Sequence, residues 1–122
     1  MSNTSSSVIP AGRVAWYVTE RFYVDAKGAS FDEGYFPDIK GLDLPMLSGS
    51  GPAAEKTAHF TFSADPFPET TRTNGDVSLS ISPPGRWHLY YNLIPCGDFD
   101  APGTFAKGQR IATFARDGTS AA

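Results

Sequence analysis

Glu20 stands inside the stretch WYVTERFYV, residues 16–24. If this stretch is a β-strand, its side chains alternate between two faces, and the face carrying Trp16, Val18, Phe22 and Val24 also carries Glu20. A carboxylate on an inward apolar face is paired, is protonated with a raised pKa, or faces a wet cavity. The last two conditions describe a general acid or base. Tyr91 offers a phenol for the same proton chemistry, and Trp16, Val18, Phe22, Phe60, Phe62, Leu79, Trp87 and Leu89 offer apolar walls for a substrate. The competing reading is a bulge near Thr19 that leaves Glu20 exposed, bridged to Arg21 or Arg86.

The opposite strand faces form an alternative set. If they line a polar lumen, Tyr17, Arg21, Tyr23, His59, Thr61, His88, Tyr90 and Asn92 supply hydrogen-bonding groups and one cation. If the aromatic faces point inward, His59 and His88 point to solvent, so each strand admits only one of the two readings. Two isolated histidines with no nearby His or Cys give no metal-ligand spacing, and no metal is expected. DFDAPGTFAKGQ (98–109) opens like a calcium loop but carries Pro102 and ends on Gln109 where a bidentate Glu is needed. Asp98 and Asp100 then read as turn residues. Cys96 is a lone loop cysteine, there is no Gly-x-Ser-x-Gly elbow, and neither a P-loop nor a Gly-x-Gly-x-x-Gly is present. No cofactor is expected.

These side chains need elements to hold them. RVAWYVTERFYVD reads as a long strand, DAKG (25–28) as a turn, and SFDEGYF (30–36) as the returning strand, with Gly34 a bulge or close-approach point. Residues 37–56 read mainly as loop, with at most a short strand around Ile39 to Leu42 and a single helical turn near Pro52 to Lys56. TAHFTFSA (57–64) alternates cleanly. Asn74-Gly75 marks a hairpin, Pro84-Gly85 a second turn, and VSLSIS and WHLYYNLI the strands around it, giving a three-stranded meander. A short strand at TFAKG and a final one at RIATFARD follow. Six to eight strands with turn signals every 8–12 residues predict an all-β, mostly antiparallel fold: a small lipocalin-like or calycin-like β-barrel, with a β-sandwich as the alternative. The domain spans 13–117, with tails at 1–12 and 118–122.

At 122 residues the chain holds one core. With 40% hydrophobic and 13% aromatic residues it is not disordered. A net charge of −3 without a Lys/Arg run argues against nucleic acid. No apolar run approaches the ~20 residues of a membrane span, and no leader pattern opens the sequence. One cysteine allows no internal disulfide, in keeping with a reducing, cytoplasmic setting.

AWYVTERFYV, HFTFSADPF, LYYN and GDFDAPGTFAKGQRIATF together resemble small bacterial proteins that accompany polyketide and related secondary-metabolite pathways. In architecture the chain is similar to the barrel cyclases and isomerases of such pathways, of the allene-oxide-cyclase and spirotetronate-cyclase type. The resemblance implies a lumen that folds an apolar substrate and guides a ring closure or proton shift. Three readings follow: a cofactor-independent cyclase, isomerase or dehydratase using Glu20 and Tyr91; a lipocalin-like carrier of a small apolar ligand; and a structural dimerising module. Outward-facing aromatics would predict a homodimer.

Overall fold

The computed structural model describes residues 13, 15–67, 70–74, 77–82, 85–116 and 119–121, with side chains for 13, 15–67 and 85–115. Eight strands are formed: β1 (Trp16–Val24), β2 (Ser30–Ile39), β3 (Phe60–Ala64), β4 (Thr70–Asn74), β5 (Val77–Ser82), β6 (Gly85–Tyr91), β7 (Gln109–Arg116) and β8 (Thr119–Ala121). All pair antiparallel, in the order β1-β2-β3-β6-β7 in a five-stranded open sheet and β4-β5-β8 in a three-stranded one. Helical structure among the described residues is confined to two 3-10 turns, Glu55–Thr57 and Pro102–Ala106. The all-β reading therefore holds.

The first hairpin forms where its turn residues predict. Asp25 Oδ1 accepts the backbone N–H groups of Lys27 and Ala29, and Gly28 takes a φ of 82° that a side chain would disfavour. Tyr17 pairs with Asp38 but Thr19 with Tyr35, so β2 carries one extra residue opposite Val18. Pro37, which has no N–H to give a ladder, is accommodated in that bulge. Gly34 is a close-approach point, as expected: a Cβ there would run into the Thr19 carbonyl and lie 2.8 Å from Glu20 Cα.

Three expectations change. The meander does not form, because β6 lies between β3 and β7 while β5 lies between β4 and β8. The Asn74-Gly75 hairpin pairs Asn74 with Val77, its linking residues 75 and 76 lying outside the described residues, as do residues 83 and 84 of the second expected turn. TFAKG is a 3-10 turn rather than a strand, since Pro102 and Gly103 break the ladder and Thr104 bonds locally to Ala101 O and Asp98 N. Thr119–Ala121, expected as tail, pairs with β5.

The two sheets share one register. Between Ala64↔Trp87 and Thr70↔Ile81 both chain segments advance six residues, and between Gly85↔Arg116 and Ser82↔Thr119 both advance three. The sheets divide where the sequence places Pro66, Pro68, Pro83 and Pro84. Proline cannot donate to a ladder, so a division at this level is what the chemistry favours.

The five-stranded sheet is covered on both faces. On the first, Phe36, Phe60, Phe62 and Leu89 are buried, with Trp16, Val18, Ile39, Met46, Trp87, Tyr91 and Ala112 packed around them. The sheet curls around this cluster until the rings of Trp16 on β1 and Phe114 on β7, its two outer strands, lie 5.0 Å apart. On the second face Tyr35, Thr61, Tyr90 and Asn92 are buried beneath the segment 95–106, whose Phe105 is fully enclosed. Consecutive Asp32 and Glu33, only 1% and 3% exposed, confirm the double cover, because neighbouring residues of a strand point to opposite faces.

Candidate functional site

On the concave face, Trp16, Val18 and Glu20 are half-buried, alternating with exposed Tyr17, Thr19 and Arg21. The inward stripe ends there. Phe22 is 53% and Val24 71% exposed, which corrects the assignment of Phe22 as a wall and the inward placement of Val24: beyond Glu20, β1 pairs with the hairpin end of β2 and has passed the rim of the core. Phe60, Phe62 and Leu89 are buried and Trp87 half-buried, as expected, but they fill space with one another. Phe62 stacks on Trp87 at 4.3 Å, Phe36 meets Phe62 at 5.5 Å and Trp16 at 5.9 Å. They form a packed core. The side chain of Leu79 lies outside the described residues.

Glu20 and Tyr91 are not neighbours. Tyr91 packs against Phe60 and His59, with ring centroids 5.2 and 6.1 Å away, and lies on β6, three strands from β1. Three strand spacings are about 14 Å of sheet. The second carboxylate of the concave face is instead Asp32, which sequence reasoning passed over. Glu20 pairs with Gly34 and Phe22 with Asp32, so Glu20 and Asp32 are diagonal neighbours on one face, with Cα atoms about 7–8 Å apart in such pairs. Gly34 lets the β1 backbone close onto β2 at that point and bring Glu20 alongside.

A hydrogen-bond donor lies on the same face. Glu33 pairs with Ser63 and Ala64 with Trp87, so Asp32, Ala64 and Trp87 fall at one level of the same face on β2, β3 and β6. Trp87 Nε1 is buried and makes no hydrogen bond among the described residues. A buried donor left without an acceptor costs about 1–3 kcal/mol, and an incoming oxygen atom would relieve it. Oε2 of Glu20 is likewise closed off from solvent.

The alternative set is split by the structure. Tyr17 is 57% exposed and Arg21 is exposed, whereas Tyr90 and Asn92 are buried at 6% and 4%. The two readings are not exclusive, because segment 95–106 covers the second face while the sheet curls around the first. The histidines are half-buried and hydrogen-bonded: His59 donates from Nδ1 to Asn92 O at 2.7 Å, and His88 bonds Asp65 Oδ1 through Nε2 at 2.8 Å and Thr113 Oγ1 through Nδ1 at 3.0 Å. Tyr23 donates its hydroxyl to Phe99 O at 2.8 Å. Arg21, Glu33, Ser63, His88 and Thr113 form a polar row across all five strands. Burial pushes the Glu33 carboxyl above the usual range, the Ser63 hydrogen bond opposing this and the Asp32 charge adding to it. Burial also raises the Tyr23 phenol, with the Arg21 charge opposing it.

The signal for Asp32 and Glu33 was present in the sequence: two carboxylates followed by glycine inside a strand-like run cannot both face water if the strand is central. Among the described residues no three His, Cys, Asp or Glu side chains gather as a metal site, and no helix is long and apolar enough to cross a membrane. Compared with known protein families, with curated proteins and with solved structures, the chain matches none.

Proposed function

We propose that the protein is a cofactor-independent isomerase or cyclase that moves a proton on an apolar, carbonyl-bearing molecule of the polyketide-like kind. The observation that carries this reading is the diagonal pair of carboxylates, Glu20 and Asp32, on a sheet face that also holds Trp87 Nε1, buried and without a hydrogen-bond partner among the described residues. In the reaction, Trp87 donates its N–H to the carbonyl oxygen, one carboxylate removes a proton from the adjacent carbon and passes it to the other across the diagonal, and the acid so formed returns it at the carbon where the double bond or ring is to form. A positioned acid or base of this kind contributes about 10²–10⁴-fold. Holding a flexible chain with its reacting atoms together contributes further.

The shared register of the two sheets supports a barrel-like closure of the chain. Exposed, unpaired Cys96 accords with a cytoplasmic setting. The test is exchange of α-protons in a panel of apolar cyclic ketones in D₂O, read by NMR, alongside quenching of tryptophan fluorescence. Glu20→Gln and Asp32→Asn are expected to keep ligand quenching and to lower exchange by about 10²-fold or more. Wild-type protein that quenches without exchanging would make this a carrier, and protein that does neither would remove the site.

A further inference from the structure

The molecule has a second concavity, three strands away from Glu20. An open cleft of about 660 Å³ lies where β6 ends and β7 begins, lined by Tyr91, Leu93, Ile94, Cys96, Lys107 and Gln109. Its form follows from the local sequence. Asn92 turns into the second face, where its amide donates to Thr61 Oγ1 at 2.9 Å and His59 O at 3.2 Å. The chain is pinned there, and the next two residues project away from the sheet: Leu93 is 76% and Ile94 81% exposed, the highest values among the exposed large hydrophobics. On the other side Gly108 allows the start of β7 to close down, since a Cβ would sit 2.6 Å from Asn92 Oδ1. The floor is therefore narrow and the walls are apolar.

One charge faces this apolar surface. Lys107 is exposed and forms no ion pair among the described residues. A single ammonium is a point charge with no fork for a dianion. No acidic residue lines the cleft. Apolar walls, one uncompensated cation and a volume in the range of small-molecule sites select an aliphatic chain with one negative charge. We propose that this cleft binds a medium-chain aliphatic carboxylate, its chain along Leu93, Ile94 and Tyr91 and its carboxylate on the Lys107 ammonium.

Cys96, the chain's one cysteine, lies in the cleft and is exposed, so its alkylation rate reports occupancy. Iodoacetamide labelling is followed with decanoate below its micelle concentration, with decanol, and with anionic phospholipid vesicles. Decanoate is expected to slow labelling and decanol to do so only at higher concentration. Lys107→Gln should weaken protection by decanoate about three- to fivefold, the reach of one partly exposed ion pair. Amide NMR shifts of Gly108 and Gln109 in the presence of decanoate provide a second readout. Equal protection by decanol, full protection in Lys107→Gln, protection by vesicles alone, or no protection at all would each overturn the proposal.

Discussion

The Thr61 hydroxyl ties the cover over the second face to the central strand, and its removal is a sharp test of the packing. Thr61 is 1% exposed; it donates to Phe105 O at 2.8 Å and accepts from Asn92 Nδ2 at 2.9 Å. Thr61→Val keeps the shape and deletes both bonds. Asn92 retains its bond to His59 O, but the Phe105 carbonyl is left without its donor in a buried position. Two lost bonds at about 0.5–1.5 kcal/mol each, with a stranded carbonyl and a small apolar gain from the valine methyl, give a loss of about 2–4 kcal/mol. At about 2.1 cal/mol/K of unfolding entropy per residue, 122 residues give about 0.26 kcal/mol/K, so Tm should fall by about 8–16 °C. Thermal melts followed by circular dichroism measure the loss, and amide exchange across residues 98–106 locates it. A loss below about 0.5 kcal/mol, the scale of an ordinary surface change, or unchanged exchange in that segment would refute the reasoning.

Two further outcomes follow from individual contacts. Gly34→Ala should destabilise the protein by about 1–3 kcal/mol despite the better strand propensity of alanine, because the new methyl meets the Thr19 carbonyl; a neutral denaturant midpoint would show that β1 and β2 are not so closely apposed. Glu33 has a folded pKa above its unfolded one, so the folded state holds the extra proton and this group's stabilisation is present in acid and lost as pH rises from the ordinary carboxylate range through the raised value. Glu33→Gln should remove that decline, seen as a flatter stability–pH curve; an identical slope in wild type and variant would contradict the burial of this carboxylate.

How much was legible in the residues depends on range. Turn chemistry at Asp25 to Gly28, alternation in Phe60–Ala64, and the inward placement of Trp16, Val18 and Glu20 are local consequences of side-chain period and backbone freedom, and they could be read along the chain. Glu20 was found this way. Periodicity puts Tyr91 on the correct face but cannot name its neighbours, because nothing in one strand states how many strands separate it from another. Phe22 was misplaced for a related reason: periodicity gives a face, but the point at which that face leaves the core is set by where the partner strand ends.

By itself, then, the sequence determined an all-β antiparallel chain with its breaks at Gly and Pro, an apolar aromatic face and a carboxylate on it. Those properties follow from steric limits and the two-residue repeat, which act within a few residues. Tertiary structure alone decided that β6 lies between β3 and β7, that both sheet faces are covered, that Asp32 rather than Tyr91 stands beside Glu20, and that Leu93, Ile94 and Lys107 share a cleft. Strand order and the path of segment 95–106 bring together residues tens of positions apart. Such juxtapositions come from long-range pairing and burial, to which local pattern is blind.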